Sequence, residues 1–267
     1  MRITLQSEYP NFTAGQKPTL IEWTREDTPI HAYVNHYVSR LSHNDNKAIA
    51  ILLEPRSIEP RTYDYMEQYH DRFRYVFTHN SEILKLNNAR PLYFGGVWAS
   101  DPDCEKTKDI SMISSNKRMC QLHIDRYNIA EELENKIDVY GTYRGGAWAT
   151  TKEAHAPYRF AVVIENYRDN IYFTEKICNC FANKTIPIYY GAKDIDRFFD
   201  GAGIIHVQNV YDIPGIVKHI LDNGPKELYE RLKPAVNRNY ELVQDYICFE
   251  DQFYRNNKEL LEGMYET

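Results

Sequence analysis

Apolar residues along this chain fall into short runs that alternate with longer stretches of mixed polarity. The short runs, bounded by turn-forming positions, predict buried strands at 2–5, 48–53, 74–77, 91–94, 110–114, 137–140, 160–164, 186–190 and 204–206. The longer stretches predict helices over 31–40, 63–69, 81–86, 117–133, 175–182, 193–199, 210–222, 225–242 and 249–265. The helix that ends at Leu133 carries apolar residues at 119, 122, 129, 130 and 133, one face with a polar interruption. Strands alternating with helices are the signature of α/β layers. The stretch Trp98-Ala-Ser-Asp-Pro-Asp-Cys-Glu-Lys-Thr-Lys108 is polar and aperiodic and reads as the linker. It divides the chain into an N-terminal part, 1–103, and a second part, 104–245, with 246–267 left as a terminal helix.

Composition narrows the classes more than it selects one. A length of 267 residues suits one large domain or two small ones, and 43% hydrophobic content suffices for a core. A net charge of −6 argues against a nucleic-acid binder that works through a broad basic surface. The 22 tyrosines are numerous, and amphipathic packing accounts for them as well as a sugar-binding cleft does. Five cysteines at 104, 120, 178, 180 and 248 form no paired C-x-x-C knuckles, so they read as reduced thiols of a cytoplasmic protein. The opening Met1-Arg-Ile-Thr-Leu-Gln-Ser-Glu8 lacks the apolar run of a secretory signal, and no segment reaches 18 apolar residues, so no membrane span is expected.

Chemistry concentrates in Tyr158-Arg-Phe-Ala-Val-Val-Ile-Glu-Asn-Tyr-Arg-Asp-Asn-Ile-Tyr-Phe-Thr-Glu-Lys176. A buried strand runs into a polar loop and then a helix that starts near Thr174. Ligands of open α/β sheets bind beyond the carboxyl ends of strands. Helix N-termini attract phosphate, because their first N–H groups are unpaired and the dipole is positive there. Glu165, Asn166, Tyr172, Glu175 and Lys176 all sit at such a place. Lys176 adds a full positive charge, and the Glu175 carboxylate can accept two hydrogen bonds from a ribose diol.

The series Glu165-Asn166, Tyr172-Phe-Thr-Glu-Lys176 and Thr185-Ile-Pro-Ile-Tyr-Tyr-Gly191 resembles the α-1,3/4-fucosyltransferase family, glycosyltransferase family 10. That family carries Phe-Glu-Asn, Tyr-x-Thr-Glu-Lys and Pro-(Ile/Val)-Tyr-Trp-Gly in its donor domain. Here Ile164 stands where Phe is usual and Tyr190 where Trp is usual. Upstream, the stretch from Ser114 to Gly141 resembles the family's strand, Ser-Asn loop, arginine-bearing helix and Val-Asp-Val-Phe-Gly strand. The resemblance implies an α/β, GT-B-like fold of two Rossmann-like domains with a cleft between them. It places an acceptor side in 1–103 and a GDP-sugar side in 104–245, with the terminal helix packing back across the cleft. It points to the soluble bacterial or viral type of the family.

The same resemblance implies roles. Glu175 would hold the ribose hydroxyls and Lys176 a phosphate, with Asn166 and Tyr172 lining the same donor pocket. Glu165 would face the fucose or simply end its strand. The family's diphosphate arginine falls on Arg126, with Lys117 and Arg118 as alternates, and is expected to be exposed. The base that deprotonates the acceptor would be Glu54, at the end of the apolar run 48–53, with Glu59 as the second candidate. Asp101-Pro-Asp103 and Asp194-Ile-Asp196 have the D-x-D form, yet the cationic pair Arg126 and Lys176 can neutralise a leaving diphosphate, so no metal is expected. The expected activity is metal-independent, inverting transfer of fucose, in α-1,3 linkage, from GDP-fucose to a glycan hydroxyl. The rivals are another GDP-sugar as donor, or a catalytically inactive module that binds sugar nucleotides or glycans.

Overall fold

The structure, a computed structural model, describes residues 1–266. Met1–Phe94, Asp169–Tyr172 and the segment from Cys248 onward form one compact unit, and Gly95–Arg168 with Phe173–Ile247 form a second.

The first unit is built on six parallel strands: β1 (Arg2–Gln6), β2 (Glu22–Thr24), β3 (His31–Val34), β4 (Asp45–Leu52), β5 (Phe73–Thr78) and β6 (Ala89–Pro91), in the order β2-β1-β3-β4-β5-β6. Helix α1 (Pro60–Tyr69) joins β4 to β5. Side chains alternate across β4, so Ile49 and Ile51 enter one apolar layer with Ile3, Leu5, Phe77, Phe249 and Phe253. Ala48, Ala50 and Leu52 enter the other, with Tyr63 and Met66 of α1. A strand covered on both faces reads in sequence as an unbroken apolar run, which is how β4 shows itself.

The C-terminal helix Phe249–Tyr265 belongs to this first unit, and its Phe249 and Phe253 rings are buried. Fully burying an aromatic ring is worth roughly 1.5–3 kcal/mol. Its first turn adds two acids that fasten the loop between β1 and β2. Glu250 accepts from Phe12 N (2.7 Å) and Thr13 Oγ1 (2.9 Å), and Asp251 accepts from Thr19 N, Thr19 Oγ1 and Leu20 N (2.8, 2.7 and 2.8 Å).

Residues 31–40, expected as a helix, form β3 followed by a 3-10 turn over Asn35–Arg40. β3 pairs with β1 on one side and β4 on the other, and those two ladders outweigh the weak local preference of His-Ala-Tyr-Val. Asn35, at φ 52°, ends the strand.

The second unit holds β7 (Lys108–Ile113), α2 (Gln121–Leu133), β8 (Asp138–Tyr140), α3 (Thr151–His155), β9 (Tyr158–Ile164), α4 (Glu175–Ala182), β10 (Ile186–Tyr190), β11 (Ile205–His206), α5 (Ile213–Asp222) and α6 (Pro225–Leu242). Its five parallel strands are ordered β11-β10-β9-β7-β8. One apolar cluster joins Met112, Phe160, Val162, Ile186 and Ile188 of the sheet to Ile129 and Leu133 of α2 and Val217 and Ile220 of α5. Expected helix 193–199 shrinks to a 3-10 turn over Ile195–Arg197. Helix α3 was not expected, although Thr150 and Glu153 close a full capping box at its start. The five cysteines are all free thiols, and Cys120, Cys178 and Cys180 are buried.

Candidate functional site

Strand order places the site in the second unit. From β7 the chain passes through α2 to β8 on one side, then returns through α3 to β9 on the other side of β7. The order therefore reverses between β7 and β9, and crevices of open α/β sheets lie at such switch points, outside the carboxyl ends of the strands. Glu165 and Asn166 follow β9 there, and α4 begins shortly after, with Thr174 as its N-cap.

Glu165 is completely buried, and it ties the end of β9 to the start of α4. Its carboxylate accepts from Thr174 N at 2.9 Å and from Thr174 Oγ1 at 2.8 Å. Burial pushes the Glu165 carboxyl up, the Lys176 ammonium pulls it down, and the two Thr174 hydrogen bonds add to that pull. Lys176 Nζ lies 3.1 Å from Thr174 Oγ1, 3.4 Å from Glu165 Oε2 and 3.5 Å from Glu175 Oε1. Glu175 and Lys176 are both partly exposed, so a positive helix end, an ammonium and a carboxylate are presented together. Gly191 closes the motif for a packing reason: a Cβ there would sit 2.3 Å from Tyr189 Oη and 2.6 Å from Glu165 Cγ.

Arg126 overturns one expectation. It is buried, 7% exposed, where an exposed side chain was expected. Its Nη1 donates to the Ile164 carbonyl at 2.8 Å and to Asn166 Oδ1 at 3.2 Å, so α2 props the end of β9 through this guanidinium. An arginine can serve the main chain with one nitrogen and retain donors for a second partner, because its fork carries five N–H groups. Two further groups at the start of α2 meet Asn166. The Cys120 thiol donates to the Asn166 carbonyl at 3.4 Å, and His123 Nε2 lies 3.0 Å from Asn166 Oδ1. Neither was singled out from sequence. The signal available was the i, i+3 spacing of His123 and Arg126, which puts both on one helix face. The alternates Lys117 and Arg118 are exposed, and the Arg118 guanidinium lies over the Tyr127 ring at 3.5 Å.

Glu54 and Tyr172 fall in the first unit. Glu54 follows β4, is partly exposed, and has its main chain held on two sides. Asn35 Oδ1 accepts from Leu53 N (2.8 Å) and Glu54 N (3.0 Å), and Tyr63 Oη donates to the Glu54 carbonyl at 2.9 Å. Asn35 is a positioning residue that sequence reasoning missed, since it lay inside an expected helix. Tyr172 is buried against His79, ring centroids 4.4 Å apart, and His79 Nε2 lies 3.4 Å from Tyr63 Oη. The second base candidate, Glu59, stands at the N-cap of α1, where its Oε2 accepts from Thr62 Oγ1 at 2.8 Å.

The two D-x-D segments are occupied in other ways. Asp101 pairs with Lys152 at 2.9 Å and Asp196 with His206 at 3.2 Å. Among the described residues, no group of three or more His, Cys, Asp and Glu side chains converges as a metal site, and no helix is long and apolar enough to cross a membrane.

Comparison with known proteins agrees with this geometry. Residues 104–233 match the family model described as glycosyltransferase family 10 (fucosyltransferase), C-terminal part. No curated protein matches the chain in sequence. Among solved structures, an α1,3-fucosyltransferase with GDP is similar over 100% of this chain and 90% of its own, at TM-score 0.57 and 14% identity. The same description with GDP-fucose gives 92% and 81%, at TM-score 0.56 and 14% identity. A mutant of S. aureus TarM in complex with fondaparinux, α-GlcNAc-glycerol and UDP is similar over 91% of this chain and 56% of its own, at TM-score 0.58 and 10% identity. At such identities these likenesses carry the fold: two parallel α/β sheets, as in GT-B glycosyltransferases. The family model covers every part of the Glu165–Gly191 series and the Arg126 helix as well, so the likeness to glycosyltransferase family 10 is carried by residues 104–233 of this chain.

Proposed function

We propose that this chain transfers fucose from GDP-fucose to a sugar hydroxyl of a glycan, in α-1,3 linkage, with inversion and without a metal ion. One observation carries the reading: Lys176 and Glu175 stand on the first turn of α4, beyond the central strand of the unit that resembles family 10. The similar α1,3-fucosyltransferase structures with GDP and with GDP-fucose support the donor and the linkage.

In this reading Lys176 and Arg126 stabilise negative charge that grows on the diphosphate as the glycosidic bond breaks. Glu175 takes the ribose hydroxyls, and Asn166 orients donor groups, whereas Tyr172, buried against His79 in the first unit, has almost no exposed surface to offer the donor. Glu165, fully buried, acts through Thr174 and Lys176 and has no exposed surface to offer the sugar. Glu54 removes the proton of the acceptor hydroxyl, whose oxygen attacks the anomeric carbon opposite to GDP through an oxocarbenium-like transition state.

The test is calorimetric titration with GDP, GDP-fucose, GDP-mannose and UDP in EDTA. GDP and GDP-fucose are expected to bind, and loss of binding in EDTA that Mn²⁺ or Mg²⁺ restores would overturn the metal-free reading. Lys176→Ala is expected to weaken GDP by about 1.5–3 kcal/mol, the range for a hydrogen bond to a charged group. Arg126→Ala should weaken GDP in the same range and also lower stability by about 1–3 kcal/mol, because the buried Ile164 carbonyl loses a donor. Urea unfolding of the two variants reads the structural part: both are expected below wild type, Arg126→Ala because the Ile164 carbonyl loses a donor and Lys176→Ala because the buried Glu165 carboxyl loses its ammonium partner.

A further inference from the structure

We propose that the cavity beside Trp148, at the outer edge of the second unit's sheet, binds a neutral oligosaccharide, with the indole as the platform for one sugar ring and the Glu153 carboxylate as an acceptor for its hydroxyls. The proposal does not rest on the donor reading above, and none of the residues assigned to GDP-fucose lines this cavity.

One loop builds the site. β8 is an edge strand, and the chain leaves it at Gly141. Only glycine suits that position: its φ is 93°, and a Cβ would stand 2.4 Å from the Ser114 carbonyl oxygen. Tyr143 then anchors the loop. Its ring is buried, its N–H donates to the Ser114 carbonyl at 3.2 Å, and its Oη donates to Glu134 Oε2, at the end of α2, at 3.0 Å. A second anchor follows at the start of α3, where Glu153 Oε2 accepts from Thr150 N at 2.9 Å and from Thr150 Oγ1 at 2.8 Å. Among the described residues, Glu153 Oε1 has no hydrogen-bond partner. Trp148 lies between the two anchors and is 75% exposed. An indole held in water on a loop fixed at both ends is prepared for a partner, because little ordering is left to be done on binding.

The lining selects the chemistry of that partner. The cavity is open to solvent and holds about 630 Å³, within the range of small-molecule sites and far more than a lone ammonium head on an aromatic face would fill. No Lys, Arg or His lines it, so a phosphate or sulfate meets no counter-charge there, and the Glu153 carboxylate opposes it. The walls mix apolar and polar groups. Val139 and Pro157 offer hydrocarbon, Glu153 an acceptor, and Tyr140 a ring whose hydroxyl is tied to Tyr158 Oη at 2.7 Å. A pyranose matches this mixture: C–H groups on one face meet the indole, and hydroxyls on its rim meet the carboxylate.

Titration with cellotetraose, chitotetraose and di-N-acetyllactosamine, in the absence of GDP, tests this. At least one of these probes is expected to shift the wild-type tryptophan emission to the blue, as the exposed indole leaves water. Calorimetry reads the variants. Trp148→Ala, at an exposed position, should fold as wild type and bind the same probe about 10-fold or more weakly, as truncation of an aromatic anchor does. Glu153→Gln keeps the capping box, where glutamine also serves, and is expected to weaken binding by about 3- to 10-fold, the worth of one hydrogen bond. Lys176→Ala and Glu54→Gln should bind the probe normally. The proposal fails if no probe binds at millimolar concentration, or if Trp148→Ala binds with wild-type affinity. It fails equally if Lys176→Ala or Glu54→Gln removes the binding, which would place the sugar in the transfer site. Binding of choline or of a sulfated heparin tetrasaccharide in place of the neutral probes overturns it, as does a dimer in sedimentation that Trp148→Ala dissociates. A protein that holds the probes but no GDP keeps this site and loses only the donor reading.

Discussion

Glu54→Gln is expected to leave GDP affinity unchanged and to lower turnover by about 10²- to 10⁴-fold, the range for loss of a general base. The argument is local. From Ala48 to its end β4 is apolar on both faces, and Glu54 is the first carboxylate beyond it. Its main chain is clamped by Asn35 and Tyr63, so the position of the carboxyl is restricted before any ligand arrives. Glutamine keeps the length and the hydrogen-bonding reach but accepts no proton. Glu59→Gln is the control. Its carboxylate is already engaged by Thr62 at the start of α1, and a modest loss of stability with normal turnover is expected. Steady-state GDP release with an acceptor glycan separates the cases. Normal turnover in Glu54→Gln with loss in Glu59→Gln would move the base five residues along the chain. Normal turnover in both would remove the base from this segment altogether.

Acidification from pH 7 to 4 is expected to remove on the order of 5 kcal/mol of stability through His79 and His155, and more through His123, which burial also lowers to about 4. Burial lowers each of them to about 4. At His79 the Asp169 charge and the Leu53 and Glu54 main chain oppose that shift, and at His155 the Lys106 ammonium reinforces it. The unfolded chain takes up these protons near pH 6.5, whereas the folded one does so only near pH 4. Between those values the unfolded state binds more protons, so stability falls as pH falls. Each histidine accounts for roughly 3 kcal/mol by pH 4, a large share of the about 5–15 kcal/mol typical of a folded protein. Glu165 works in the opposite sense, since its raised carboxyl favours the folded state at lower pH. Urea midpoints at pH 7, 5.5 and 4 measure the slope, and the double variant His79→Gln, His155→Gln should flatten it. An unchanged slope in that variant would assign the acid sensitivity to other groups.

Much of the donor-side arrangement is legible in the sequence because it is contiguous. The run from Tyr158 to Gly191 spells strand, loop, helix and strand in an order whose chemistry depends on local geometry: a strand end, a capped helix start, a lysine on the first turn. Thr174 as N-cap and Gly191 as the residue with no room for a Cβ are consequences of that order. Helices 225–242 and 249–265 match their expected bounds to the residue, because strong amphipathic periodicity over many turns leaves little for tertiary context to change. Short elements fare worse. Four residues of β3 and five of α3 are too few for a period to declare itself, even where the Thr150–Glu153 capping box marks the spot.

What the sequence determined by itself was the alternation of strand and helix, the donor motif and the absence of any long apolar span, all set by residues close together in the chain. What only the tertiary structure decided was how distant residues share one task. Arg126 reads as a surface arginine of a polar helix, yet it is buried because a carbonyl 38 residues away needs its donor. His123 reads as one of nine scattered histidines, and only the fold brings Asn166, 43 residues on, to its Nε2. Asn35 reads as a helical residue, and only the pairing of β3 with β4 brings its amide to Leu53 and Glu54. The reason is common to all three: a polar group leaves water only when a partner meets it, and for these groups the partner is supplied by the order of strands in the sheet, which no local pattern encodes.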